Sequence, residues 1–155
     1  MDTTDAARRF VDTWERGWAR HDVPALLALY AQDCVHRSMP FRAPHRGRAE
    51  LADYLHRSFR DERPLDVRFG PPVVGPDGLA VAEFRVVAEE GGETSTLAGC
   101  VFVRFRDDGL AFETRDYWHQ TGGRQEPEGD LFLGDEGGPT PWARGAWPTR
   151  PARDI

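Results

Sequence analysis

The residues that could do chemistry lie on two segments whose pattern predicts β-strands, residues 79–89 and 110–119. Side chains alternate between the faces of a strand, so Arg85 belongs to the odd-numbered face of the first segment and Asp116 to the even-numbered face of the second. An inward carboxylate is costly unless it is paired, so we expect Arg85 to lie against Asp116. This pair predicts a general base steadied by a cation; a structural ion pair or a solvent-facing Asp116 is the alternative.

His36 is the other candidate for proton transfer. Its ordinary pKa lies near neutrality, which suits a hydrogen-bond donor or a proton shuttle. A histidine on a half-buried strand also fits a purely structural role. The five histidines do not have the spacing of metal ligands, and the motifs of serine hydrolases, zinc proteases and nucleotide-binding proteins are absent from the sequence. We therefore expect no metal and no cofactor.

Composition excludes several classes of function. The chain has 155 residues with 39% hydrophobic residues and a net charge of −6, which predicts one domain with its own core and, without a basic block, no nucleic-acid partner. No apolar run approaches the ~18 residues of a membrane span. Cys34 and Cys100 lack disulfide or metal spacing and no leader opens the chain, so the expected location is the cytoplasm.

Three amphipathic helices are predicted in the first sixty residues. Phe10, Trp14 and Trp18 recur every fourth position, which places an aromatic stripe on a helix over residues 2–20. A second helix begins after the N-cap Asp22 and runs to about residue 32, and a third begins near Arg48. We expect the aromatic stripe to form the core and one wall of a pocket.

The remaining segments predict an antiparallel sheet. A short strand over residues 34–39 is followed, after the third helix, by strands over 65–74, 79–89, 94–106 and 110–119 that are separated by Gly-containing turns. Helices first and strands after them predict an α+β domain over residues 1–120. Residues 121–155 are rich in Gly and Pro and predict an irregular tail. Parts of it should dock on the domain or on a second subunit through the apolar run 131–133, Trp142 and Trp147.

The chain resembles the SnoaL-like branch of the nuclear-transport-factor-two-like superfamily over roughly residues 6–120. The resemblance is carried by six short stretches: Trp14 to Arg16, Arg20 to Val23, Tyr30 to Asp33, Met39-Pro40, Gly47-Arg48 and Arg115 to Trp118. It implies a cone, in which a strongly curved antiparallel sheet wraps around three helices and encloses an apolar pocket. It also implies a homodimer through the sheet face that bears Arg115 and Tyr117.

The same positions are similar to those of the limonene epoxide hydrolases. That likeness implies a water-activating role for Asp116 and a bridging role for Arg85. The position expected for the second carboxylate is Val87, and His36 and Ser38 stand where the family has a Tyr and an Asn. Glu83, of the same strand parity as Val87, is a candidate for a displaced acid. An epoxide-opening enzyme with this altered acid is therefore one open alternative.

The polyketide cyclases and ketosteroid isomerases of the superfamily need only a carboxylate base and a hydrogen-bond donor. The leading hypothesis is therefore a bacterial-type enzyme that performs cofactor-free acid/base chemistry on a hydrophobic or polycyclic small molecule. Asp116 would be its base, Arg85 its electrostatic clamp and His36 its assisting group. The expected pocket lining is Trp14, Trp18, Tyr30, Ser38, Phe41, Glu83, Val87, Phe102 and Trp118. A binding or dimerising module that lacks chemistry is the second alternative.

Overall fold

The computed structural model describes residues 1–126 and 128–133. Its helices are α1 (Thr3–Arg20), α2 (Val23–Leu27) and α3 (Gly47–Phe59). Its strands are β1 (Tyr30–Ser38), β2 (His45–Arg46), β3 (Glu62–Phe69), β4 (Val73–Val74), β5 (Leu79–Glu90), β6 (Glu93–Phe105) and β7 (Ala111–Gly122). The predicted α+β fold, with three helices against a curved sheet, is confirmed.

Local signals fix the ends of the first two helices. The Asp2 carboxylate accepts a hydrogen bond from the Asp5 backbone N–H at 2.9 Å, and α1 ends where His21 adopts a left-handed conformation with φ of 52°. The Asp22 carboxylate caps α2 by accepting from the Ala25 backbone N–H at 3.0 Å. The second helix is shorter than predicted, because Tyr30 already pairs with Ala111 and begins β1.

The strands form a single mixed sheet in the order β2-β1-β7-β6-β5-β3, with β4 paired to β5. All neighbours are antiparallel except β1 and β7, which run parallel. The expectation of a purely antiparallel sheet was wrong at this pair. The chain passes through α3 and five strands between β1 and β7, and a connection of that length permits a parallel pair.

The two faces of the sheet have different environments. The face toward the helices, called the inner face below, carries the even-numbered side chains of β5, which belong to the hydrophobic core with Phe10 and Trp14. The opposite face, called the outer face, carries the odd-numbered side chains of β5, including Arg85 and Val87. The strand register places Val101 opposite Asp116, and Val101 is part of the core, so Asp116 is on the inner face.

Residues 123–126 and 128–133 lie across the outer face. The Thr96 hydroxyl donates to the Gly123 carbonyl at 2.8 Å and accepts from the Gln125 backbone N–H at 2.9 Å. Phe132 is buried and packs against Gly70, where an added Cβ would come within 2.7 Å of the Phe132 Cβ. This part of the predicted tail lies on the domain, whereas Trp142 and Trp147 are outside the described residues. No helix in the described part of the chain is long and apolar enough to cross a membrane.

Candidate active site

Asp116 lies on β7 beside a small, mainly aromatic cavity on the inner face. The cavity measures about 20 Å³, enough for one water molecule. Its walls are Phe10, Trp14, Trp18, Phe69, Phe84 and Val101, and Asp116 is the only charged residue that lines it. The open pocket implied by the family resemblance is therefore largely filled, because the aromatic stripe of α1 and the rings of β3 and β5 occupy it.

His36 on β1 lies behind Asp116. Its Nε2 is 3.4 Å from Asp116 Oδ2, and its Nδ1 is 2.7 Å from the Thr114 hydroxyl. The parallel pairing of β1 with β7 produces this contact, because it sets His36 opposite Thr114 and Ser38 opposite Asp116. The sheet therefore brings together two of the three predicted catalytic residues.

Burial governs the protonation of this pair. Removal from water raises the pKa of Asp116 to about 7. Burial, with a smaller contribution from the nearby His45, lowers the pKa of His36 to about 3. Although the atoms are close enough for an ion pair, both shifts disfavour charge, and His36 is neutral near pH 7. Asp116 therefore titrates near pH 7, and no cationic side chain of the described residues pairs with it.

Only one member of this cluster is open to another molecule. The Asp116 side chain keeps 18% of its surface accessible, whereas that of His36 keeps 1%. Ser38 and Thr114 are fully buried. Asp116 is therefore the group that a bound molecule can touch, and His36 can act only through it.

Two residues of the cluster, Thr114 and Tyr54, were not predicted from the sequence. The Tyr54 hydroxyl forms a 2.7 Å hydrogen bond with the Ser38 hydroxyl, and its ring lies 5.2 Å from that of His36. Thr114 shares the strand parity of Asp116, and this was the available signal for it. Tyr54 lies on the apolar face of α3, but only the packing of α3 on β1 brings it to His36.

Arg85 is not part of this cluster. It lies on the outer face and is 4% exposed, with its guanidinium 3.0 Å from Glu126 Oε1 and 3.5 Å from Asp66 Oδ2. It also donates two hydrogen bonds to the Gln125 carbonyl. The predicted contact between Arg85 and Asp116 was wrong, because the two side chains point from opposite faces of the sheet. Arg85 instead holds the C-terminal segment against β5.

Four predicted pocket residues also lie away from Asp116. Glu83 and Val87 share the outer face with Arg85, and the Glu83 carboxylate accepts from the Leu133 backbone N–H at 2.7 Å. Phe102 is on the outer face and 47% exposed, and Phe41 is fully exposed in the loop after β1. The prediction that these four residues line the pocket around Asp116 was wrong; Glu83 instead lines a larger groove on the outer face. Strand parity groups side chains by face, but it does not say which face is inside.

The predicted pocket residues that are aromatic and lie on the inner face agree better with the structure. Trp14 and Trp18 line the cavity, and Tyr30 is buried in the core. Trp118 is half-buried on the Asp116 face of β7, with the Arg42 guanidinium 5.4 Å from its ring centre. Its backbone N–H donates to the Met39 sulfur at 3.4 Å. Trp118 and the loop that begins at Met39 therefore flank Asp116 on its open side.

A larger groove does not include Asp116 in its lining, although Met39 and Trp118, which flank Asp116, contribute to its walls. It measures about 740 Å³ and runs between the outer face and the C-terminal segment, where Cys100, Tyr117 and Phe132 contribute to its walls. Asp116 and His36 do not border it. Within residues 1–126 and 128–133 there is also no cluster of three His, Cys, Asp or Glu side chains able to hold a metal ion. The inner cavity is thus the place where acid/base chemistry and a binding surface coincide.

Three helices packed against a curved mixed sheet are the architecture of the nuclear-transport-factor-two-like class of fold. The chain belongs to the SnoaL-like domain family, whose sequence profile matches residues 7–114. No protein of curated function matches it significantly.

Solved structures with the same fold include three bacterial proteins. The Rv0760c protein of Mycobacterium tuberculosis is 22% identical, with a TM-score of 0.66 over 76% of this chain and 96% of that one. A candidate polyketide cyclase of Xanthomonas campestris is 23% identical, with a TM-score of 0.63 over 76% and 93%. A candidate isomerase of Bacillus subtilis is 18% identical, with a TM-score of 0.66 over 77% and 90%. At these identities the likeness shows the fold alone.

Proposed function

We propose that this protein is a cofactor-free acid/base enzyme in which Asp116 removes a carbon-bound proton from a hydrophobic small molecule and returns it elsewhere. The observation that carries the proposal is an enclosed carboxylate that has no cationic partner in the described part of the chain and whose pKa burial raises to about 7. A base whose pKa matches the working pH combines adequate ionisation with the greatest strength. Cyclisation and isomerisation of carbonyl compounds both require such a base, and the cyclase and isomerase named among the structural relatives agree with this class of reaction.

Substrate entry requires the cavity to widen. The existing space holds about one water molecule, so a ring-sized substrate must displace the half-buried side chains beside Asp116. Trp18, Phe69 and Trp118 are partly exposed aromatic residues on this side. Their flat apolar surfaces favour a planar, hydrophobic substrate.

The pH dependence of a generic proton-abstraction reaction tests the proposal. A nitrobenzisoxazole loses its ring C–H proton to a base, its N–O bond breaks, and a coloured phenolate bearing a nitrile is formed. We expect kcat/KM for this probe to rise with pH and to level off above an apparent pKa of about 7, because only ionised Asp116 accepts the proton. A rate that rises continuously with hydroxide concentration across this range would contradict the proposal.

A binding protein without chemistry is the second candidate function. Apart from Asp116, every residue lining the cavity is aromatic or aliphatic, which suits the retention of an apolar ligand. The Asp116→Asn variant separates the two functions. If the protein is only a binding protein, Asp116→Asn keeps the affinity for an apolar probe such as a naphthol. The unsubstituted protein then shows no turnover of the nitrobenzisoxazole. The epoxide-opening alternative is not proposed again with Glu83 as its acid, because Glu83 lies on the outer face.

We also propose that the outer face forms a homodimer. Phe102 and Tyr117 are 47% and 39% exposed there and contact each other edge-to-face at 5.9 Å. Arg115 and Glu113 border them, so the patch has a polar rim around an apolar centre. We expect light scattering to give a dimer mass that Phe102→Glu reduces to the monomer mass. Phe41→Glu, a matched change at an exposed loop residue, should leave the dimer intact; a monomeric unsubstituted protein would refute the proposal.

A further inference from the structure

A row of hydrogen-bonding side chains lies behind Asp116 on the inner face. It runs from Trp14 through Tyr30 and Thr114 to His36, and it ends at the carboxylate. The Thr114 hydroxyl is 2.7 Å from His36 Nδ1, and His36 Nε2 is 3.4 Å from Asp116 Oδ2. All four side chains are at least nine-tenths buried, so water does not compete for their protons.

Tyr30 connects Trp14 to Thr114. Burial raises the pKa of its phenol well above the ordinary value, while hydrogen bonding from its neighbours Thr114 and Trp14 acts in the opposite direction. Neither contact has full hydrogen-bond geometry, and Trp14 Nε1 and Tyr30 Oη have no better partner among the described residues. Among the described residues, the polar partners open to Trp14 Nε1 and Tyr30 Oη are therefore each other and the Thr114 hydroxyl.

The order of donors and acceptors along this row has one consistent direction. An indole N–H can only donate, so the Trp14 N–H is directed at Tyr30 Oη. The Tyr30 O–H is then directed at Thr114 Oγ1, and the Thr114 O–H donates to His36 Nδ1. The single proton of the neutral imidazole is therefore on Nε2. In the reverse direction the phenol proton has no acceptor, and a bare Nε2 lone pair faces the carboxylate of Asp116. Only the first arrangement directs every proton toward an acceptor, although among the described residues the Thr114–His36 contact alone has full hydrogen-bond geometry.

We propose that Thr114 is a positioning residue that holds His36 as the Nε2–H tautomer, so that His36 always donates to Asp116 Oδ2 and the other carboxylate oxygen, Oδ1, receives the substrate proton. This inference rests on the proposed function of Asp116 as the base. It assigns the two oxygens different tasks: Oδ2 is held by the imidazole, and Oδ1 is the reacting atom. When Asp116 gains a proton, His36 keeps its tautomer because Thr114 still donates to Nδ1.

Nitrogen-15 NMR of the imidazole tests this directly, since protonated and bare ring nitrogens resonate far apart. At about pH 5.5, with Asp116 protonated and His36 neutral, the tautomer is set by Thr114 and not by a carboxylate charge. We expect the unsubstituted protein to show Nε2–H alone at this pH. We expect Thr114→Val to populate both tautomers and Thr114→Ser, which keeps the hydroxyl, to restore Nε2–H.

The other titratable groups that face His36 are His45 on β2, with its ring 6.0 Å away, and Tyr54 on α3. A His45→Gln background makes the His36 resonances unambiguous. Thr96→Val is the matched control, because Thr96 is a buried threonine of the same sheet that bonds the C-terminal segment on the outer face. It should leave the His36 tautomer unchanged.

Two results would overturn the assignment. One is an Nδ1–H or doubly protonated His36 in the unsubstituted protein at about pH 5.5, and the other is an unchanged tautomer in Thr114→Val. The assignment and the proposed function fail separately. Loss of probe turnover in Asp116→Asn with an Nδ1–H imidazole removes only the role of Thr114. Unchanged turnover in that variant removes the base itself, whatever the tautomer.

Discussion

Asp116→Asn is expected to lower kcat/KM for the nitrobenzisoxazole probe by about 10²–10⁴-fold, the usual contribution of a positioned general base. The amide of Asn cannot accept a proton at neutral pH, while its size and hydrogen-bonding atoms match those of the carboxyl group. The cavity and its aromatic walls stay in place, so the KM should change much less than kcat. The measurement is phenolate release followed by absorbance across a range of probe concentrations.

Asp53→Asn is the matched control for this experiment, because Asp53 is an exposed carboxylate on α3 away from the cavity. It should turn over the probe at the rate of the unsubstituted protein. Equal rates in Asp116→Asn and Asp53→Asn would remove Asp116 from the reaction. The chain would then be better described as a binding protein.

The stability of Asp116→Asn relative to the unsubstituted protein is expected to increase as the pH rises. The carboxyl pKa is about 7 in the folded protein and near 3.8 when exposed, so between these values the folded state binds more protons than the unfolded state. The free energy of unfolding of the unsubstituted protein therefore falls through this window, by at most about 4 kcal/mol from this group. The Asn variant has no such loss, so its relative gain should be complete by about pH 8.

His36→Gln should show the opposite trend. The pKa of His36 is about 3 in the folded protein and near 6.5 when exposed, so the unfolded state binds more protons between these values and stability falls as the pH is lowered. Removal of His36 abolishes that loss, and the variant should gain relative stability toward low pH. Urea unfolding of both variants at about pH 4, 6 and 8 gives the two slopes. Parallel curves for the variants and the unsubstituted protein would mean that neither group is buried as the structure has it.

Several elements could be predicted from the sequence because their signals are local. The aromatic spacing of Phe10, Trp14 and Trp18 set the buried face of α1, and the capping residues Asp2 and Asp22 set helix starts. The glycine-containing turns placed β5, β6 and β7 to within a few residues. The parallel partner of β7 was not predictable in this way, because that pairing joins segments separated by most of the domain.

The site was only half predictable for a related reason. Alternation along β7 correctly grouped Thr114, Asp116 and Trp118, and the family resemblance drew attention to His36. On β5, however, Val86 and Val87 are both buried, since the helices cover one face and residues 123–126 and 128–133 cover part of the other. An apolar pattern on both faces carries no information about which of them is inside.

The sequence by itself determined the helices, the meander of strands and the presence of an acidic side chain on the last strand, since each depends on neighbours a few residues away. Tertiary structure alone decided that His36 and Thr114, and not Arg85, stand beside Asp116. It also decided that the pKa of Asp116 is raised by burial and is not lowered by a cation. The physical reason is that a carboxylate responds to the groups and the water around it in space, and here the parallel β1–β7 pairing and the returning C-terminal segment set that environment.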